Sequence, residues 1–100
     1  MNQEAECHFE RGKLAYEKEE WREAVEHYRR GLKKCSHSKE VFFKIGNALS
    51  ELGDLKGEIE NYRKAIEIDP CYFDAYYNLG VALQDAGEYK GAADNFRRAT

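Results

Sequence analysis

The residues of this sequence that could hold a metal ion are its cysteines and histidines. Cys7 lies next to His8, and Cys35 lies two residues before His37, whereas Cys71 has no histidine nearby. Structural zinc sites take four ligands at short, regular spacings, and these pairs match no such spacing. We therefore predict no metal site. Three cysteines without a close pair also indicate reduced thiols rather than a disulfide framework.

The chain has no arrangement of residues typical of catalysis. Enzymes need a nucleophile with a positioned base, paired carboxylates in a cleft, or a glycine-rich loop that binds phosphate. Carboxylates are numerous here but scattered at helix-surface spacing, and no glycine-rich loop precedes a predicted helix. We therefore predict that the chain is not an enzyme and needs no cofactor.

The composition is that of one small domain, residues 1–100. It is 42% hydrophobic and 35% charged, with a formal net charge of −3. A chain this short buries too little surface for a large enclosed active site, and its slight acidity argues against nucleic-acid binding. No run of about 18 apolar residues and no signal peptide is visible. We expect no membrane span and a cytoplasmic location.

Four series of residues recur every 34 positions and in the same phase. Such a period is the signature of a repeat architecture. The series are Gly12, Gly46 and Gly80; Trp21, Leu55 and Tyr89; Tyr28, Tyr62 and Phe96; and Gly31, Ala65 and Ala99.

Each repeat predicts two antiparallel helices joined by a tight turn. Apolar residues follow helical spacing, as in Tyr76, Leu79 and Leu83. Asp69 precedes Pro70, and proline disfavours the helical conformation of the residue before it, so the fourth helix should end there. The predicted helices span residues 5–18, 21–35, 39–52, 56–68, 73–86 and 89–100.

These positions resemble the tetratricopeptide repeat family, whose pattern is W-x2-L-G-x2-Y, then A-x3-F, then A and P. The third repeat matches at Tyr76, Leu79, Gly80, Leu83, Ala92, Phe96 and Ala99, and the second at Phe42, Ile45, Gly46, Leu49, Tyr62, Ala65 and Pro70. The first repeat fits more loosely. The resemblance implies an all-α, right-handed α-solenoid of three repeats, at about 5–38, 39–72 and an incomplete 73–100.

Glycine inside a helix costs about 1 kcal/mol relative to alanine, so Gly80 needs a packing reason. We expect Gly80 and Ala92 to face each other where the two helices of the third repeat approach most closely. Gly53 and Gly87 should instead adopt the left-handed conformation that ends a helix.

Glu58 departs from the pattern, because Ala24 and Ala92 occupy the same place in the other repeats. The second repeat could be splayed there, or the side chain could reach solvent past Gly57. If Glu58 is buried instead, its pKa should rise through desolvation.

In the family, the first helix of each pair lines a concave groove. Transferring those places gives as candidate peptide-binding residues Phe9, Lys13, Tyr16, Phe43, Lys44, Asn47, Tyr77, Asn78 and Val81. Phe9, Phe43 and Tyr77 share one repeat position and predict an aromatic stripe. The stripe could pack between repeats, receive apolar side chains of a peptide, or do both.

The groove is predicted to be acidic. Lys13 and Lys44 are outnumbered by Glu6, Glu17, Glu40, Glu51, Asp74 and Asp85. A basic or neutral polar peptide with an apolar anchor would suit it.

The second helices have basic pairs that could contact phosphate. Acidic residues stand four positions before three of these basic residues, which favours self-paired, solvated surfaces. The predicted pairs are Glu26 with Arg30, Glu60 with Lys64, and Asp94 with Arg98.

Co-chaperones of this family bind a C-terminal carboxylate through five basic and amide side chains. The matching places here hold Phe9, Lys13, Lys44, Asp74 and Asn78. The lysines stand in altered order and Asp74 would repel the ligand, so this clamp is not expected. The similar repeat arm of the nucleocytoplasmic glycosyltransferase holds its substrates with a ladder of asparagines. In this chain only Asn78 matches a position of that ladder.

The resemblance implies a non-catalytic protein-interaction module that binds a peptide of its partner in the groove. The alternative is a structural spacer, or the N-terminal part of a longer array or multidomain protein in which it recruits substrates or regulates. The last repeat lacks a polar capping helix, which would also allow self-association through its end.

Overall fold

Six α-helices make up the protein in a computed structural model that describes residues 3–100. The first two residues of the predicted domain lie outside the described residues. The helices are α1 (Gln3–Glu17), α2 (Trp21–Leu32), α3 (Lys39–Glu51), α4 (Leu55–Ile68), α5 (Phe73–Asp85) and α6 (Tyr89–Arg98). No strand occurs within this part of the chain. The all-α solenoid is confirmed, although α2 ends three residues earlier than predicted.

Polar side chains cap the N-termini of α3 and α4, and glycines follow the ends of α3 and α5. The side chain of Ser38 accepts a hydrogen bond from the backbone N–H of Val41, and that of Asp54 accepts one from Gly57. Such N-caps satisfy backbone donors that a helix leaves unpaired. Gly53 and Gly87 have the predicted positive φ, at 79° and 81°. The backbone at Asp69 is extended before Pro70, which confirms the predicted end of α4.

Each helix packs against the next one in the chain, within a repeat and between repeats. The stack measures 41 × 26 × 18 Å. Its two apolar clusters, one near each end, are formed by aliphatic residues around Tyr28 and around Tyr62. None of the helices in the described part is long and apolar enough to cross a membrane.

The glycines of the first helices face aromatic rings of the second helices. A Cβ placed on Gly80 would lie 2.7 Å from Phe96 Cε1, and one on Gly46 would lie 2.5 Å from Tyr62 Cε1. The helices therefore approach closely at Gly80, and the ring of Phe96, one turn beyond Ala92, lies nearest to the glycine. The contact of Gly80 with Ala92 itself stays a prediction.

Two of the three predicted ion pairs on the second helices are present. Glu26 pairs with Arg30, and Glu60 pairs with Lys64 at 3.4 Å. The third prediction is wrong, because Asp94 pairs with Arg97 instead. The guanidinium of Arg98 lies instead over the ring of Tyr76, 6.0 Å from its centroid.

Candidate functional site

The first helices of all three repeats meet around a cavity of about 400 Å³, the central cavity. Helices α2 and α4 complete it from behind. Its lining contains five of the nine predicted groove residues: Tyr16, Asn47, Tyr77, Asn78 and Val81. It also contains Trp21, Ser50, Glu51, Glu58 and Tyr62.

Asn47 is the centre of a hydrogen-bond network that joins the three repeats. Its Oδ1 accepts from Tyr62 Oη at 2.6 Å and from Asn78 Nδ2 at 2.9 Å. Its Nδ2 donates to Tyr16 Oη at 3.2 Å. These bonds use both acceptor positions of the Asn47 carbonyl oxygen, so the amide of Asn47 orients the side chains of Tyr16, Tyr62 and Asn78. The side chain of Asn78 also hydrogen-bonds the hydroxyl of Tyr62, and its carbonyl oxygen stays available to accept from another partner.

Tyr62 belongs to this network, but sequence reasoning missed it. The residue was assigned to the framework because Tyr28 and Phe96 share its repeat position. Its ring is 2% exposed, and burial raises the pKa of its hydroxyl well above the ordinary value. The hydroxyl therefore stays protonated and donates to Asn47. The sequence signal that could have indicated this hydrogen bond was the hydroxyl of Tyr62, which Phe96 lacks at the same repeat position.

Glu58 is buried, at 7% exposure, and lines the central cavity from α4. Burial raises the pKa of its carboxyl, the negative charge of Asp85 adds to the rise, and a hydrogen bond with Ser50 opposes it. Of the three alternatives for Glu58, the structure therefore agrees with burial of the side chain and a raised pKa of its carboxyl.

A second cavity, of about 630 Å³, lies along the groove between α1 and α3. Four predicted residues line it: Phe9, Lys13, Tyr16 and Lys44. Lys44 Nζ lies 4.5 Å from the centroid of the Tyr16 ring, a cation–π contact. Four glutamates also line it, Glu10, Glu17, Glu19 and Glu40, so this part of the groove is acidic as well.

The aromatic stripe is divided between packing and exposure. Phe9 packs against the first apolar cluster and lies over Gly31. Phe43 contacts the rings of Tyr62 and Tyr72, at 5.8 and 5.1 Å, and lines neither groove cavity. Tyr77, in contrast, is 57% exposed. The stripe therefore offers an exposed ring mainly at its third position.

The three cysteines are exposed free thiols. Within residues 3–100, no three side chains of histidine, cysteine, aspartate or glutamate come together in a way that could hold a metal ion.

Two family models match this chain. A TPR repeat model matches residues 46–87, and a tetratricopeptide repeat model matches residues 5–38. The chain belongs to the tetratricopeptide repeat family. These repeats form a non-catalytic protein-interaction fold.

Three solved structures, two of them of TPR domains, superimpose closely on this chain. The TPR domain of Arabidopsis OM64 has a TM-score of 0.89 and 29% identity, with 95% of this chain and 78% of that chain covered. The TPR2B domain of yeast Sti1, in a complex with pHsp70, has a TM-score of 0.90 and 28% identity, covering 98% and 78%. MamA has a TM-score of 0.91 and 25% identity, covering 95% and 56%.

This tetratricopeptide chain thus spans little more than half of the MamA chain. The comparison with curated proteins found no match.

Proposed function

We propose that this tetratricopeptide domain binds a peptide segment of a partner protein in its concave groove. The observation that supports this most is the central cavity, where five predicted residues from three repeats converge. An extended ligand fits a surface shared by all three repeats better than a compact small molecule does. The solved complex of the yeast TPR2B domain with pHsp70 supports a peptide ligand by analogy.

The polar groups at the central cavity suit an extended peptide. Asn78 retains its carbonyl oxygen, which can accept a hydrogen bond from a backbone N–H of the peptide. Tyr77 and Val81 beside it are 57% and 36% exposed, and they provide the apolar surface for an anchoring side chain. Lys13 and Lys44 lie in the adjoining cavity and extend the contact surface toward the first repeat.

The groove charge argues for a basic or neutral polar peptide with an apolar anchor. The two cavities contain the carboxylates of Glu10, Glu17, Glu19, Glu40, Glu51 and Glu58, against Lys13 and Lys44. Like charge would repel an acidic peptide. Asp74 is exposed and lies outside both cavities, at the end of the domain. We therefore do not extend the carboxylate clamp of the co-chaperones to this chain.

The test selects random dodecapeptides displayed on phage against the immobilised domain. Peptides that bind are synthesised with a fluorophore, and their Kd values are measured by anisotropy. The groove variant is Tyr77→Ala with Asn78→Ala, and the matched control is Glu60→Ala with Lys64→Ala on the exposed side of α4. Circular dichroism verifies that both variants remain helical.

We expect selected peptides to bind the groove variant at least roughly tenfold more weakly, because an apolar contact and a hydrogen bond are lost. The control should bind as the parent does. Equal binding to all three proteins would place the peptide elsewhere, and no enriched peptide would favour a structural spacer.

The cytoplasmic location stays a prediction.

The end of the domain favours a second candidate function, self-association of two copies. A cavity of about 530 Å³ there is lined by Phe73, Tyr77, Val81 and Phe96, and Phe73 is 56% exposed. Contiguous exposed apolar surface of this kind is typical of interaction sites. Sedimentation velocity at high micromolar concentration should show a dimer that Phe73→Ser abolishes. A parent chain that stays monomeric would contradict it.

A further inference from the structure

Glu58 is buried at a position where the packing of the repeat does not require a charged side chain. Ala24 and Ala92 occupy the same place in the other repeats and are also buried, so alanine suits this packing position. Removing a carboxylate from water is costly unless a cation or several hydrogen bonds compensate. Ser50 supplies one hydrogen bond. The cost is therefore only partly offset within the domain.

No salt bridge within the described part of the chain compensates this charge. Among residues 3–100, neither Glu58 nor its acidic neighbours Glu51 and Asp85 forms a salt bridge, although five other salt bridges are present. The lining of the central cavity contains Glu51 and Glu58 but no lysine or arginine. Asp85 increases the negative potential at Glu58, since its charge raises the pKa of that carboxyl.

The walls of the central cavity are aromatic. Trp21 and Tyr16 meet edge to face, with ring centroids 5.1 Å apart, and Tyr77 is another aromatic residue in the lining. Aromatic faces bind the methylene stem of a long side chain and attract a cation at its tip. A cavity of about 400 Å³ has room for one such side chain.

The geometry points to a specificity subsite for a lysine or arginine side chain of the bound peptide, with its cation at the Glu58 carboxylate and its stem against Trp21, Tyr16 and Tyr77. This inference rests on the proposed function, because the peptide in the groove supplies the side chain. It adds which residue of the peptide is selected and which group of the domain selects it.

An organic cation fits these observations better than a metal ion does. The described residues form no cluster of three possible metal ligands, and the aromatic walls would not coordinate a metal. The acidic neighbours Glu51 and Asp85 act on a cation over a longer range and favour its approach. Glu58, as the buried carboxylate in the lining, makes the direct contact.

The experiment compares two acetylated, amidated pentapeptides with alanine at four positions and either lysine or norleucine at the centre. Each is titrated into isotope-labelled full-length domain, and NMR shifts of the Trp21 indole and the Asn47 and Asn78 side-chain amides report binding in the central cavity. Norleucine keeps the stem and lacks the cation. Comparison of the two peptides therefore isolates the charge.

Glu58→Gln tests the carboxylate, and Glu67→Gln is the matched control. Both remove one negative charge from α4, but Glu67 is exposed and lines a different cavity. We expect the lysine peptide to bind the parent and the control at least roughly tenfold more tightly than the norleucine peptide does, as for a hydrogen bond between charged groups. In Glu58→Gln the two peptides should bind alike.

Equal binding of both peptides to the parent, or a lysine preference that survives Glu58→Gln, would overturn the subsite. The phage selection separates this result from failure of the proposed function. Phage-selected peptides that need Tyr77 and Asn78 but no basic residue would leave groove binding intact and reject the subsite. Absence of any cavity shift with either pentapeptide would reject the subsite as well.

Discussion

Replacing Gly46 with alanine tests the close contact between the two helices of the second repeat. The added Cβ would lie 2.5 Å from Tyr62 Cε1 and 2.7 Å from Cδ1, where ordinary contact begins at 3.4 Å. The ring would have to move by about 1 Å. It has little freedom to do so, because it is 2% exposed and its hydroxyl is bonded to Asn47 at 2.6 Å.

Two opposing energies decide the outcome. Alanine in a helix interior is favoured over glycine by about 1 kcal/mol. Overpacking a well-filled core costs about 1–3 kcal/mol, and the upper end applies to Gly46→Ala because Tyr62 is held on both sides. The free energy of unfolding should therefore fall by about 2 kcal/mol. For a domain of this size that lowers Tm by about 10 °C.

Urea unfolding followed by circular dichroism measures this change. Gly91→Ala is the matched control, because its Cβ would meet Leu83 Cδ1 at 3.4 Å, an ordinary contact. That substitution should stabilise the domain by about 0.5–1 kcal/mol through helix propensity. If Gly46→Ala proves as stable as the parent, the ring of Tyr62 does not require glycine, and the packing explanation is wrong.

Three further predictions concern Glu19, Asp54 and Glu58. Glu19 has a positive φ of 59° at the repeat position of Gly53 and Gly87. Glycine relieves a left-handed cost of about 1–2 kcal/mol and adds an entropy cost of about 0.5–1 kcal/mol, so Glu19→Gly should raise the free energy of unfolding by about 0.5–1 kcal/mol; an unchanged thermal midpoint would contradict this. Asp54→Ala removes the N-cap of α4 and should cost about 1 kcal/mol, whereas an equal loss in a variant with serine there would discount the capping explanation. Burial raises the pKa of the Glu58 carboxyl from its ordinary value in the folded state. The folded state therefore holds that proton more strongly than the unfolded state does, and the free energy of unfolding falls as pH rises through the unfolded and then the folded pKa. Glu58→Gln removes this carboxyl, so the free energy of unfolding of the variant relative to the parent should rise between pH 4 and pH 7.5; a pH-independent difference in urea titrations would refute it.

Much of the fold was predictable because each repeat applies the same constraints. A glycine every 34 residues, aromatic residues at another fixed place and apolar residues at helical spacing leave one arrangement that buries them all. The end of α4 at Asp69 was predictable from Pro70, since that restriction is local. The end of α2 was predicted three residues too late, because Cys35 to Ser38 contain no comparable signal.

The candidate site was predictable in its position but not in its contacts. The repeat alignment brought Tyr16, Asn47 and Asn78 to one surface, and the structure places them in one cavity. It did not predict that Tyr62 would donate to Asn47, because the hydroxyl reaches the groove from the second helix of the pair. Whether Phe43 packs or faces the groove was left open, and its ring contacts those of Tyr62 and Tyr72, since repeat position alone does not show how deep a ring lies.

By itself, the sequence determined the number of helices and their pairing, because these depend on residue types at fixed intervals, and the resemblance to the family added which helices line the groove. The tertiary structure decided which ring covers each glycine, how the Asn47 network forms and whether Glu58 is buried. Those outcomes depend on distances between side chains of different repeats, which spacing along the chain does not specify. Glu58 shows the difference most clearly: its sequence position allowed burial or exposure, and the packing of α3, α4 and α5 placed its carboxylate in the cavity wall.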